Sequence, residues 1–278
     1  MKIAYTGWTW LNAGPEATDE QKIALFEQSM KEIAYLGYDC AENFAFISDF
    51  LTPEKELEIS AKYSLPLVNV YGHFSTDVDA EVAKAKKQID WLSAIGGKWF
   101  NCQSGTPSDV PEDFDDTMLL EDGLLAICEI ANQVGRYALE KGIQVCFHPH
   151  ANTYVFSREQ IDFFAAHTDP TCVFFCMDTA HTTLAGIDPV ELCRAYASRI
   201  AYMHLKDFDP QHVPEGPRGK MGAFRALGLG TVDFKGVYNV LKAAGYDGVL
   251  CVELDNPEIC NFQSAQVSRE YIRNVLKL

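Results

Sequence analysis

The feature that most constrains the fold of this chain is an alternation of short apolar segments with helical patterns along its whole length. Several of these segments are apolar on both faces, as parallel strands are when helices cover a sheet. Helix signals recur between them, including proline after an N-cap at Thr52-Pro53 and a capping box formed by Ser157 and Gln160. The predicted strands are KIAYTG (2–7), YDCAEN (38–43), LPLVNVYG (65–72), KWFNCQ (98–103), IQVCFH (143–148), CVFFCMD (172–178), IAYMHLK (200–206) and GVLCVEL (248–254).

Eight β–α units in 278 residues predict an α/β fold, a (β/α)8 TIM barrel that forms one domain over residues 1–278. The alternative is a doubly wound open sheet. We disfavour it because no GxGxxG sequence follows the first strand, and because eight evenly distributed units close naturally into a barrel. No linker, low-complexity segment or block of like charge divides the chain.

Polar side chains lie at the ends of the predicted strands, whereas the strand interiors are apolar. In a TIM barrel, the active site forms at the C-terminal ends of the strands and in the loops that follow them. We therefore expect these side chains to converge at one end of the barrel, together with Trp8 just beyond the first strand. The residues at the strand ends are Glu42, His73, Gln103, His148, Asp178, His204 and Glu253.

Four of these residues predict a divalent metal site. His148, Asp178, His204 and Glu253 end strands five to eight, and neighbouring strands lie about 5 Å apart, so the four side chains can surround one ion. Two imidazoles and two carboxylates suit Mn²⁺, Co²⁺, Zn²⁺ or Fe²⁺ better than Ca²⁺. Manganese is the first expectation, with cobalt, zinc, iron and magnesium as alternatives.

The fifth predicted strand ends on His148-Pro149-His150, which leaves two assignments open. Two histidines separated by one residue point to the same side if the strand persists, but Pro149 can bend the chain there. Either histidine can therefore be the ligand. The other is then a proton carrier, and His150 is the better candidate for the base.

Two long segments resemble the xylose-isomerase-like TIM barrels, a family that includes sugar-phosphate isomerases and epimerases, inosose dehydratase and endonuclease IV. The segments are CMDTAHTTLAGIDPVELCRAYASRIAYMHLKDFD (176–209) and LGLGTVDFKGVYNVLKAAGYDGVLCVELD (227–255). FHPHANTYV (147–155), with DTAH and HLKD, is most similar to inosose dehydratase and its relatives.

The resemblance implies a metal held by Glu, Asp, His and Glu at the ends of strands five to eight. Asp178, His204 and Glu253 match the last three positions, and His148 stands where isomerases and epimerases have the first glutamate. Epimerases of this family use two glutamates, one on each face of the substrate. The histidine therefore favours dehydration over epimerisation.

Further residues are expected to contact the substrate. His181 follows Asp178 in a DxxH sequence that resembles a substrate-contacting pair of the family, and Lys206 shares the face of His204. Arg225 lies in the glycine-rich segment 217–230, which can form a lid. We expect His150, His181, Lys206 and Glu253 to act in catalysis. The expected substrate-binding residues are Trp8, Glu42, His73, Gln103 and Arg225.

The predicted function is metal-dependent removal of a proton next to the carbonyl of a keto-sugar or keto-cyclitol, followed by loss of water. β-Elimination from a 3-keto-glycoside needs the same acidified C–H and a larger leaving group. Isomerisation or epimerisation through an enediolate is the alternative, and a non-catalytic sugar-binding subunit is a more distant one.

Composition excludes other classes. A net charge of −16 disfavours binding of nucleic acid, and the apolar stretches are shorter than the ~20 residues of a membrane helix. The N-terminus lacks the features of a secretory signal, and the nine cysteines include no CxxC pair, so we expect a cytoplasmic protein with reduced, buried thiols. Homo-oligomer formation is compatible with this architecture, but no sequence feature specifies it.

Overall fold

The computed structural model describes residues 1–107, 115–213, 219–257 and 259–278, and within them eight parallel strands close into a barrel. Each agrees with its predicted range to within two residues, which confirms the (β/α)8 TIM barrel. Two short strands pair antiparallel outside the barrel. In chain order the strands are β1 (Lys2–Thr6), β2 (Cys40–Phe44), β3 (Leu67–Phe74), β4 (Trp99–Ser104), β5 (Gln144–Phe147), β6 (Val173–Asp178), β7 (Ile200–Leu205), β8 (Asp207–Phe208), β9 (Phe224–Arg225) and β10 (Val249–Val252).

Helices connect the barrel strands, and their predicted starts at Thr52 and Ser157 are confirmed by side-chain caps. Among the residues described, no helix combines the length and the apolar character that crossing a membrane requires. The helices are α1 (Asp19–Tyr35), α2 (Pro53–Tyr63), α3 (Val78–Ala94), α4 (Glu121–Glu140), α5 (Arg158–His167), α6 (Thr179–Leu184), α7 (Pro189–Tyr196), α8 (Phe234–Ala243) and α9 (Asn261–Tyr271).

Four cysteines and a tyrosine lie inside the barrel beneath its mouth, the end where the C-termini of the strands lie. Cys40, Cys146, Cys176 and Cys251 are buried and pack with Tyr202 in one cluster. Each of the five stands two positions before one of the polar residues predicted at the mouth, and alternate residues of a strand point to the same side. The barrel interior is therefore layered, with thiols and one phenol below the polar residues.

A buried carboxyl group in α2 generates a pH dependence of stability. Glu56 is 1% exposed and accepts a hydrogen bond from Ser60 Oγ at 2.5 Å. Burial raises the pKa of Glu56 to about 7, well above the value of an unfolded chain. Because the folded-state pKa is the higher one, the stability present near pH 5 is lost as the pH rises through 7.

We predict that Glu56→Gln, which keeps the shape and removes the ionisation, is more stable than the wild type at pH 8 by roughly 2 kcal/mol and similar to it at pH 5. Urea unfolding at the two pH values measures the difference. Glu58→Gln is the matched control, because the Glu58 side chain on the same helix is 66% exposed. If the unfolding free energies of the wild type and Glu56→Gln changed by the same amount between pH 5 and pH 8, Glu56 would not ionise within that pH range.

Candidate metal centre and active site

Four predicted ligands meet at the barrel mouth. His148 directly follows β5, Asp178 ends β6, His204 lies near the end of β7, and Glu253 directly follows β10. One ligand atom from each lies within 4.8 Å of the others. His148 Nε2 is 3.6 Å from Asp178 Oδ2 and 4.0 Å from Glu253 Oε2, and His204 Nδ1 is 2.9 Å from Glu253 Oε2. We call this group the four-residue cluster.

The cluster contains polar atoms whose burial requires a partner. All four side chains are almost completely buried. A buried polar atom without a hydrogen bond costs about 1–3 kcal/mol, and more if it is charged. A cation bound between the four side chains would satisfy these atoms together, so the residues present fit a divalent metal. In the described part of the chain, the atoms without an aligned hydrogen-bond partner include His148 Nε2, Asp178 Oδ2, His204 Nδ1 and Glu253 Oε2.

The structure distinguishes the two histidines that follow β5. His148 contributes its ring to the cluster, whereas His150 turns its Nδ1 to the carbonyl oxygen of Ala151 at 2.7 Å. The geometry therefore favours His148 as the ligand and leaves His150 beside the cluster, with ring centroids 5.6 Å apart.

Glu42 contacts His204, one of the four residues of the cluster. Its side chain is 1% exposed, and its two carboxylate oxygens are 2.9 and 3.1 Å from His204 Nε2. Asn101 Nδ2 donates to the same carboxylate at 2.8 Å. β2 thus holds this carboxylate against a nitrogen of His204 that lies outside the four-residue cluster, and its expected contact with substrate stays a prediction. A carboxylate in this position fixes which nitrogen of the histidine faces the metal.

Lys206 is a buried cation among carboxylates. Its Nζ is 2.9 Å from Glu253 Oε2, 3.0 Å from Asp255 Oδ2 and 3.5 Å from Asp178 Oδ2. Burial lowers the pKa of Lys206, but Asp255, Glu253 and Asp178 outweigh burial and raise it well above its usual range. Three carboxyl groups thus surround one ammonium, and burial raises the pKa of the outermost of them, Asp255. A divalent cation bound beside them would add positive charge to this acidic surrounding.

The same contacts set the charges of the cluster. Burial acts to raise the pKa of Glu253, but Lys206 and His204 hold it well below its usual range, and Lys206 and His148 likewise lower the pKa of Asp178 against burial. Burial lowers the pKa of His204, yet the neighbouring Cys176, Glu42 and Glu253 raise it well above its usual range. A cation at His204 Nδ1 would replace a proton there, so metal binding should weaken at low pH.

His150 and His181 form a pair beside the cluster. Their ring centroids are 3.8 Å apart, and the His181 ring is 5.6 Å from the His148 ring. Burial lowers the pKa of His150 to about 3, and burial followed by the His150 ring holds the pKa of His181 well below its usual range. Both rings are therefore neutral at pH 7, so each offers one N–H and one lone pair.

Aromatic rings line one side of the mouth. Trp8 stacks on Phe44 with centroids 4.9 Å apart, Phe44 stacks on Tyr71 at 5.3 Å, and Tyr71 lies 5.4 Å from the His148 ring. Gln103 accepts a hydrogen bond from the Tyr71 hydroxyl at 2.5 Å. The predicted residues Trp8 and Gln103 thus lie along one wall, together with the exposed His73, whose ring contacts Tyr71 edge-on.

A cleft of about 710 Å³ opens next to this wall. Trp8, Phe44, Phe46 and Asp255 line part of it, and Asp255 contacts Lys206 at its inner end. The indole N–H of Trp8 is buried without a hydrogen-bond partner among the described residues, so it is available to a bound ligand. The cleft thus connects the surface to the residues around the four-residue cluster.

Arg225 bonds to nearby backbone carbonyls, and its expected contact with substrate stays a prediction. Its guanidinium donates to the carbonyl oxygens of Gly222 and Phe224 within its own segment, and of His212 before that segment, at 2.8–2.9 Å. Neighbouring residues of an extended strand point to opposite sides, and the adjacent Phe224 faces the site. The Phe224 ring lies 4.8 Å from the His181 ring and 4.9 Å from Lys206 Nζ.

Asp255, Asn101 and Asp207 are polar residues around the site that were not among the predicted ones. Asp255 stands two positions after Glu253, and Asn101 two positions before Gln103, so the period of a strand could have indicated both. Asp207 accepts hydrogen bonds from four backbone N–H groups, those of Phe208, Gly228, Gly230 and Val232. Its carboxylate anchors the glycine-rich segment beside the mouth, a role that becomes visible only in three dimensions.

Comparison with known proteins identifies the family. A family model described as the xylose isomerase-like TIM barrel matches residues 30–277. The chain belongs to the xylose isomerase-like TIM barrel family. This assignment confirms the resemblance inferred from the segments 176–209 and 227–255.

The relatives of this family member include dehydratases. Inosose dehydratase of Clostridium perfringens is 28% identical over 302 residues, with 100% of this chain and 98% of the relative covered. Inosose dehydratase of Geobacillus thermodenitrificans is 35% identical over 305 residues, with 100% and 97% covered. The solved structure of the IolI protein with a bound zinc atom shares the fold, with a TM-score of 0.74, 16% identity, and 100% and 98% covered.

We predict that Mn²⁺ or Zn²⁺ raises the thermal stability of this protein and that Asp178→Asn removes most of the rise. At a metal concentration 100 times the Kd, one site adds about 2.7 kcal/mol. Asparagine keeps the cap of α6, because its carbonyl oxygen can accept from the His181 N–H as Asp178 Oδ1 does at 2.7 Å. Thermal melts at several metal concentrations measure the effect.

Asp188→Asn is the control for this prediction, since Asp188 caps α7 in the same way and lies outside the four-residue cluster. It should keep the full metal-dependent rise. If the metal raised the melting temperatures of Asp178→Asn and Asp188→Asn equally, the cation would bind outside the four-residue cluster.

A second prediction concerns Glu42. Glu42→Gln keeps an acceptor for His204 Nε2 but removes its charge, so we expect the metal affinity to fall by about 10–100-fold. Calorimetric titration of the metal-free protein with Zn²⁺ measures the affinity. Glu56→Gln, at a buried glutamate of α2, should bind with wild-type affinity, and an unchanged Kd in Glu42→Gln would refute the role given to Glu42.

Proposed function

We propose that this chain is a divalent-metal-dependent lyase that removes water from a keto-cyclitol, as the name of its inosose dehydratase relatives describes for them. The observation that carries the proposal is the four-residue cluster with the neutral pair His150 and His181 beside it. Dehydration needs an acidified C–H, a group that accepts its proton, and a donor at the leaving oxygen. The described residues around the cluster offer groups for each of these tasks.

His148, Asp178, His204 and Glu253 would hold the metal. When bound, the cation supplies Lewis acidity that polarises the ketone and the adjacent hydroxyl of the substrate. Mn²⁺ is our first expectation, with Zn²⁺, Co²⁺, Fe²⁺ and Mg²⁺ as alternatives, since two imidazoles and two carboxylates suit several of them.

The reaction breaks one C–H and one C–O bond and needs no oxidant or reductant. Removal of the proton next to the ketone gives an enediolate, and loss of the β-hydroxyl as water then forms the enol of a diketone. The lowered pKa of His150 keeps its lone pair free at neutral pH but also makes it a weak base. Proton removal by His150 therefore depends on the acidity that a bound cation would give the C–H. Lys206 remains charged among its carboxylates and stabilises negative charge that develops on the substrate oxygens.

Dehydration is favoured over epimerisation by the ligand set. Epimerases of the family place one glutamate on each face of the substrate, whereas here the first position is His148 and only Glu253 remains as a glutamate in the cluster. Trp8, His73 and Gln103 on the mouth wall are proposed contacts for the ring and hydroxyl groups of the substrate. Loss of an aglycone from a 3-keto-glycoside would use the same residues with a larger leaving group.

The mass of the products formed in D2O tests the proposal. With a keto-inositol and Mn²⁺, we expect metal-dependent loss of water, and EDTA should abolish it. The same reactions are run with ketoses and 3-keto-glycosides as competing substrates. Deuterium uptake without loss of water would establish an isomerase or epimerase instead. Loss of an aglycone would identify the glycoside as the substrate class, and no change with any substrate would leave sugar binding alone.

A further inference from the structure

We propose that one residue, Ala151, fixes the two adjacent imidazoles of His150 and His181 in opposite tautomers, so that His150 is the proton acceptor of the reaction and His181 its hydrogen-bond donor. The assignment of roles rests on the function proposed above, whereas the assignment of tautomers does not. Each part therefore has its own test.

The two polar backbone groups of Ala151 point to different rings. His150 Nδ1 is 2.7 Å from the Ala151 carbonyl oxygen, and the Ala151 N–H donates to His181 Nδ1 at 3.3 Å. A carbonyl oxygen can only accept, so His150 Nδ1 carries a hydrogen. A backbone N–H can only donate, so His181 Nδ1 carries a lone pair.

The opposite nitrogens follow from this assignment. In a neutral imidazole, one nitrogen donates and the other accepts, so His150 presents a lone pair at Nε2 and His181 presents an N–H at Nε2. His181 Nε2 is buried without a hydrogen-bond partner among the described residues, and the whole side chain is 1% exposed. A buried donor without an acceptor is a position for an oxygen atom of a ligand.

The turn after β5 holds Ala151 in this orientation. The His150 N–H donates to the carbonyl oxygen of Val155 at 2.9 Å, and Thr153 Oγ1 donates to the carbonyl oxygen of His150 at 2.7 Å. Asn152 has a φ of +61°, in the left-handed region that asparagine tolerates better than most residues. This reversal directly after Ala151 lets its carbonyl and its N–H serve two rings.

The two tautomers divide the chemistry between the rings. His150 Nε2 takes the proton from the carbon next to the ketone and becomes imidazolium. The imidazolium then returns that proton to the departing β-hydroxyl, so water leaves and His150 is neutral again. His181 Nε2–H remains bonded throughout and stabilises charge on a substrate oxygen, as a neutral imidazole can.

Nitrogen NMR tests the tautomers without any substrate. Long-range ¹H–¹⁵N correlation spectra of the full chain, labelled at histidine and loaded with diamagnetic Zn²⁺, distinguish protonated from unprotonated ring nitrogens. His150→Gln and His181→Gln identify the two sets of signals by their loss. We expect a protonated Nδ1 in His150 and a protonated Nε2 in His181, and the same tautomer in both rings would overturn the assignment.

Turnover tests the roles. Glutamine provides an N–H near the position of Nε2 but no base. The turnover rate of His181→Gln should therefore stay within about tenfold of the wild-type rate, whereas that of His181→Leu should fall by about 10²–10³-fold. His150→Gln should lose at least about 10²-fold in both deuterium exchange and loss of water from a keto-inositol. If His150→Gln stayed active and His181→Gln lost turnover, His181 would be the proton acceptor and His150 the hydrogen-bond donor. If the wild type itself neither exchanges nor dehydrates, the proposed function fails while the NMR result still decides the tautomers.

Discussion

The two-residue period of the strands determines what the mouth of this barrel can contain. Each inward-facing residue at a strand end lies above the inward-facing residue two positions earlier, so the polar layer depends on the layer beneath it. Cys146 precedes His148, Cys176 precedes Asp178, and Cys251 precedes Glu253 in this way. Thiols are compact and apolar, so they close the barrel below the ligands without crowding them.

Burial of this polar layer removes charged side chains from water, which costs free energy. Lys206 faces three carboxyl groups at the four-residue cluster. Several polar atoms of the cluster residues also have no aligned hydrogen bond among the described residues. A protein tolerates such a site when a ligand completes it, because desolvated charges of one sign destabilise the fold unless they are compensated. Glu42 and Asn101 extend the arrangement by holding His204 from behind. A cation bound at the four-residue cluster would offset this cost.

The fold and the cluster were predictable from the sequence because both depend on periodicity and on the position of strand ends. The two-residue period of a strand shows which residues point into the barrel, but it does not show how deep a side chain lies or which way the chain turns after the strand. Neither the contact of Glu42 with His204 nor the bonding of Arg225 to nearby carbonyls could therefore be predicted. The choice between His148 and His150 depended on the backbone after Pro149, which no local pattern specifies.

That backbone departs from strand geometry at Asn152, and the departure has a chemical consequence. A strand continued through His150 would keep its ring on the same face as the His148 ring. The turn at Asn152 instead brings the His150 ring beside the His181 ring and gives the two different partners, an acceptor for His150 and a donor for His181. Two side chains of the same type thereby acquire opposite hydrogen-bonding capacities without any charged neighbour having to distinguish them, which suits a site where a bound cation would dominate the electrostatic field.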